Sequence, residues 1–144
     1  MGESQDSGPH SVSGRCAIVN DDGDSAWLLL TDGDGHKIIA DCWLYNRRHF
    51  DRAELATWPH DRPPPAPDDA IDPGALRTMP LLDAIAFVWD RAGDGVAVIA
   101  QGQVLGFIAP GSRRGHSQFL RESGPWGVPF DGDLFERLFH EPAA

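Results

Sequence analysis

Two apolar runs between Trp27 and Tyr45 flank a polar tetrapeptide, Asp32-Gly33-Asp34-Gly35. Asp-Gly pairs supply the positive φ that tight hairpin turns require, so WLLLTDGDGHKIIADCWLY predicts a β-hairpin. On its second arm Ile38, Ala40, Cys42 and Leu44 share one face, and Ile39, Asp41, Trp43 and Tyr45 the other. Both faces are largely apolar, which predicts a central strand covered on both sides. Asp41 breaks the pattern. A carboxylate beside Trp43 and Tyr45 is costly unless it is paired or wet.

The same alternation predicts a first strand over Gly14 to Asn20 and a turn over Asn20 to Asp24. Trp27 to Thr31 and Lys37 to Tyr45 complete an antiparallel meander. The pattern then dissolves. Asn46-Arg47-Arg48-His49 is polar and basic, and Phe50 to Trp58 has room for one or two helical turns. Pro59, Pro63, Pro64, Pro65, Pro67 and Pro73 exclude regular helix or inner strand and predict a surface loop over 59–73.

Pro80 to Trp89 reads two ways. A helix would place Pro80 in its first turn; a strand over Ala84 to Asp90 suits Phe87, Val88 and Trp89 and the Arg91-to-Gly95 turn. The strand is the better reading. Val96 to Ala100 and Val104 to Ala109 form a second hairpin, with Gly106 marking a bulge or a close backbone approach. Ser117 is placed to cap a short helix through Ser123. Asp133 and Glu136 have capping-box spacing, and Leu134, Phe135, Leu138 and Phe139 form an apolar stripe. His140 falls in that helix's last turn, and Pro142 ends it. The expected fold is α+β: one domain over 14–144, an antiparallel sheet of about five or six strands, packed by the C-terminal helix. Residues 1–13, mostly polar, are expected to be a disordered leader.

Composition narrows the function. The net charge of −10 argues against nucleic acid or an anionic membrane as partner. There is no apolar run of the roughly 20 residues a membrane helix needs, and no apolar signal-peptide core. Cytoplasmic residence follows, with Cys16 and Cys42 as reduced thiols. No nucleophile elbow or phosphate-binding glycine loop is present. Asp32-Gly33-Asp34-Gly35 fails as a calcium loop, because His36 and Lys37 stand where ligand and glycine belong. Cys16, His36, Cys42 and His49 lack zinc spacing. No catalytic residue, metal or cofactor is therefore assigned, and the chain is not expected to be an enzyme. Asp41 with His36 or His49 would make an acid–base pair; pairing with Arg47 or Arg48 is the plainer reading.

What remains is charge geography. Asp21, Asp22, Asp24, Asp32 and Asp34 lie in turns, and no Lys or Arg interrupts the chain from Cys16 to His36. Asp68, Asp69 and Asp72 add a second cluster. Ordinary solvated turns account for this pattern. The functional alternative is an acidic rim around Trp27 or Trp58. The candidate partner-binding residues are Asp21, Asp22, Asp24, Asp32, Asp34, Asp41, Trp58, Asp68 and Asp69.

Ile38 to Arg47 (IIADCWLYNR) and Gly124 to Phe139 (GPWGVPFDGDLFERLF) resemble stretches of small bacterial immunity proteins. The resemblance covers about a fifth of the chain and carries over no site residue. It implies a protein that neutralises a cognate toxin domain, basic if the toxin is a nuclease, by plugging its active site. Asp94 to Ile108 (DGVAVIAQGQVLGFI) is similar to the strand pair of nucleotide-sensing CBS modules, which implies the alternative of a small-molecule-binding regulatory domain.

Overall fold

The structure is a computed structural model that describes residues 3–78 and 84–139. Glu3–Asp6 (β1), Ala17–Asp21 (β2), Ser25–Thr31 (β3) and Ile38–Asn46 (β4) hydrogen-bond side by side as an antiparallel sheet in that order. The hairpin predicted from the Asp-Gly pairs is β3–β4, with Trp27 opposite Trp43 and Leu28 opposite Cys42. Beyond it, Arg52–Leu55 (α1) is a single helical turn whose first amides are capped by Asp51, which accepts from the Glu54 N–H at 2.8 Å. Ile85–Trp89 (β5), Val96–Ala100 (β6), Gln103–Ile108 (β7), His116–Ser117 (β8) and Val128–Pro129 (β9) form a second sheet, again in chain order. Gly132–Phe139 (α2) closes the described chain.

Several expectations change. One sheet of five or six strands becomes two sheets, of four and five strands among the described residues. The proline-rich stretch carries the chain away from β4 with no strand of its own, so β5 starts a new sheet by pairing with β6. Within the segment expected to be a disordered leader, Glu3–Asp6 form β1. β1 is exposed along its whole length and so is held by its backbone ladder to β2. The turn after it is tied down by polar bonds: Ser13 Oγ donates to the Gly93 carbonyl at 2.7 Å. Ser117 caps no helix. The Gly115 N–H is drawn to the Asp41 carbonyl and the Val128 N–H to Gly115, which makes 116–117 a short strand. The α2 cap is Asp131, accepting from the Leu134 N–H at 3.0 Å, and not Asp133. Pro80 to Asp83, His140 and Pro142 lie outside the described residues.

Four layers result. The inner faces of the sheets meet in the main core, Leu28, Leu30, Ala40, Cys42 and Leu44 with Val96, Val98, Leu105 and Ile108. The opposite face of the second sheet presents Ala97, Phe107 and Val88 to Leu134, Phe135, Leu138 and Phe139 of α2. Phe107 is the hub there, with ring centroids 5.6–5.7 Å from Phe130, Phe135 and Phe139. The fourth layer is the proline-rich arm on the outer face of the first sheet.

The sheets approach most closely at Cys42. A β-carbon at Gly106 would lie 3.0 Å from Cys42 Sγ, and one at Gly115 would lie 2.5 Å from Cys42 Cβ and 2.6 Å from the Phe107 carbonyl. Both readings of Gly106 hold, because the β6–β7 register also slips beside it, between Val98 and Ile99. Gly115→Ala is expected to destabilise by about 1–3 kcal/mol through overpacking, read as a lower urea midpoint. An unchanged midpoint would mean that the sheets are not in contact there.

Candidate functional site

The acidic turn at 21–24 is turned inward. Asp21 is 1% exposed. Its carboxylate accepts from Tyr45 Oη at 2.8 Å, Arg47 Nη1 at 3.1 Å and the Gly23 amide at 2.9 Å. Asp22 caps the turn, accepting from the Asp24 and Ser25 amides at 2.9 and 3.1 Å. Asp24 pairs with Arg62 and lies 3.6 Å from Arg48. Arg47 and Arg48 of the basic patch after β4 thus supply counter-charge to this turn. Asp21 presents no surface and is corrected from a contact residue to a structural one.

The second cluster is likewise engaged. Asp68 accepts from the Phe50 amide at 3.2 Å and meets His49 Nδ1 at 3.1 Å. Asp69 pairs with Arg52 at 2.9 Å, and Arg52 also reaches Glu122. The Arg52 hydrogen bond holds the Asp69 carboxyl below the usual carboxylate range. Trp58 packs edge-on against Phe50, its ring 4.9 Å from the Arg62 guanidinium carbon, so it anchors the arm.

That arm is fixed by buried Asn46. Trp43 Nε1 donates to Asn46 Oδ1 at 2.8 Å, and Asn46 Nδ2 donates to the Ala66 carbonyl at 2.7 Å. Pro63 and Pro64 then stand over Trp27 and Leu29, leaving a groove of about 370 Å³ also lined by Asp41, His60, Asp61, Arg62 and Pro125. A hollow of about 360 Å³ adjoins it, sharing Asp41 and Pro125 and adding Arg113 and Arg114. Asp41 meets neither His36 nor His49, and neither Arg47 nor Arg48. Burial holds its carboxyl above the usual range, against the pull of Arg114 and Arg113.

The remaining feature is the end of the β3–β4 hairpin. Among the described residues the exposed large hydrophobic side chains are Val12, Ile38 and Ile39, at 75%, 50% and 39% exposure. Ile38 and Ile39 open β4 and line a depression of about 450 Å³ with Arg15, Leu30, Asp94 and Arg113. Val12 lies on the adjoining turn, whose Gly14 abuts the Gly33 carbonyl. Asp32 and Asp34 sit in the same turn. Asp32 is spent locally, accepting from the His36 and Asp34 amides at 3.0 and 3.1 Å. The His36 amide first, and those of Lys37, Asp34 and Gly35, hold its carboxyl below the usual range. Sequence reasoning passed over Ile38 and Ile39. Their alternation marks them as strand residues, and nothing in it shows that the partner layers end before reaching them.

The two cysteines are free, and β3 separates Cys42 on β4 from the approach to β2 that holds Cys16. Among the described residues no three His, Cys, Asp or Glu side chains gather as metal ligands. No protein-family model, curated protein or solved structure matches the chain.

Two outcomes are expected. Asp21→Ala removes the buried carboxylate to which Arg47 and Tyr45 both donate and should cost about 3 kcal/mol in urea unfolding; under about 1 kcal/mol would show that the buried cluster is not held together by Asp21. Asp41, with its folded pKa raised, penalises the native state above that pKa, and the penalty fades as pH falls through it towards 3.8. Asp41→Asn should therefore raise the urea midpoint at pH about 7 and lose its advantage near pH 4.

Proposed function

We propose that this chain is a non-catalytic binding protein of the cytoplasm, an immunity-type inhibitor that covers the active site of a cognate bacterial toxin domain. The observation that carries the reading is the pair of exposed side chains Ile38 and Ile39 lining one depression at the hairpin end, with exposed Val12 on the turn beside it. Large aliphatic side chains are left in water at one place, where a contacting surface would recover their burial. Around them stand Asp34, Lys37, His36 and Arg15, the polar rim that surrounds a contact centre. The proposed contact is thus smaller than the acidic rim read from sequence. It keeps Asp32 and Asp34 and leaves Asp21, Asp22, Asp24, Asp68 and Asp69 to their intramolecular partners. With so many carboxylates neutralised internally, the partner need not be strongly basic. The resemblance of Ile38 to Arg47 to immunity proteins supports the class of function and assigns no contact residue.

Co-expression with any toxin domain found encoded beside this reading frame is the test. The unaltered chain should restore growth and bind the toxin domain in vitro. Ile38→Asp with Ile39→Asp should weaken binding by about 30-fold, the equivalent of a 2 kcal/mol hot spot. Asp68→Asn, on the internally paired cluster, should leave binding within about twofold. Full protection by the double aspartate variant would end the proposal.

A further inference from the structure

The groove under the proline-rich arm, with its adjoining hollow, meets the hairpin-end depression at Arg113 and has its own chemistry. Asp41, Arg113 and Arg114 line one hollow of about 360 Å³. The Asp41 carboxylate has no hydrogen-bond or ion-pair partner among the described residues. Arg113 and Arg114 have no carboxylate within 4.0 Å among those residues, although Arg114 donates to the Gly124 carbonyl at 2.9 Å. Most other arginines described here are in ion pairs: Arg15, Arg47, Arg48, Arg52, Arg62 and Arg121 all meet carboxylates. Opposite charges that face one hollow without touching leave the carboxylate short of donors and the guanidinium groups short of acceptors. The adjoining groove is walled by Leu29, Trp27, Pro63 and Pro64. Trp27, 4% exposed, brings an indole N–H that finds no acceptor among the described residues.

We infer that this groove binds a small zwitterion with an apolar tail, an α-amino acid being the simplest member of the class. Its carboxylate meets Arg113 and Arg114, its ammonium meets Asp41, and its side chain lies along Leu29, Pro63 and Pro64. Charge sign decides the class. A plain anion satisfies the arginines but is repelled by Asp41; a plain cation satisfies Asp41 but faces two guanidinium groups. His60 and Asp61 stand at the arm side of the groove, and Arg62 there is already held by Asp22 and Asp24. The inference goes beyond toxin binding and does not rest on it.

The test is calorimetric titration of the full chain with L-leucine, L-phenylalanine and L-tryptophan. The N-acetyl derivative of each, which is only an anion, and the amide of each, which is only a cation, serve as the other arms. At least one free amino acid should bind with a dissociation constant of about 1 mM or below. For that residue type both single-charge analogues should bind at least about tenfold more weakly. Asp41→Asn and Arg114→Gln, each shown by far-UV circular dichroism to be folded, should each lose about tenfold or more. Ile38→Ala with Ile39→Ala, which trims the hairpin end without bringing a carboxylate to the shared Arg113, should leave this binding within about twofold, so the two proposals fail separately. No heat from any amino acid at about 10 mM, or an acetylated analogue that binds as well as the free one, would overturn the inference.

Discussion

Cys42 stands where three backbones crowd together, and the rest of the molecule is arranged around that crowding. Gly106 and Gly115 come so near that neither position has room for a β-carbon at ordinary separation. The contact also completes β4. In sheet order β4 is terminal, yet its outer edge is filled by irregular chain: the Asp41 N–H donates to Arg113, the Gly115 N–H to Asp41, and the Trp43 N–H to Trp126. One strand is thereby covered on both faces and along much of both edges, as its doubly apolar alternation requires. Burial pushes the Cys42 thiol far above its ordinary range, so it serves as packing and not as a nucleophile.

Where the sequence was informative, the reason is local. Period-two alternation and Asp-Gly turns act over a few residues, so the β3–β4 and β6–β7 hairpins could be read directly. The single turn at α1 and the helix over Gly132–Phe139 also follow from local spacing, with the latter's cap misplaced by two residues because Asp131 and Asp133 offer the same chemistry. The division into two sheets is not local. It depends on whether β5 joins β4 or β6, and alternation carries no information about partners. β1 was illegible for a different reason: ESQD has no apolar face and is held only by its ladder.

The candidate site divides the same way. Acidic turns were visible in sequence, but their counter-charges were not, since Arg62 is 38 residues from Asp24 and Arg47 is 26 from Asp21. A net charge of −10 therefore overstates the field at the turn where the carboxylates are densest. Asp41 did stand out as an anomaly from alternation alone. Its real neighbours, Arg113, Arg114 and His60, arrive from two distant loops.

The proline-rich arm has a spectroscopic consequence. Trp27 and Trp43 lie beneath it and Trp58 within it, three of the chain's five indoles. The arm is held by Asn46 on Ala66, by Arg62 on Asp22 and Asp24, and by Asp68 on the Phe50 amide, so lifting it means breaking all of these contacts together. A red shift in intrinsic fluorescence would then report undocking of this cover while both sheets stay intact. In this protein emission and far-ultraviolet dichroism need not melt together, and a gap between the two curves would measure how independently the arm moves.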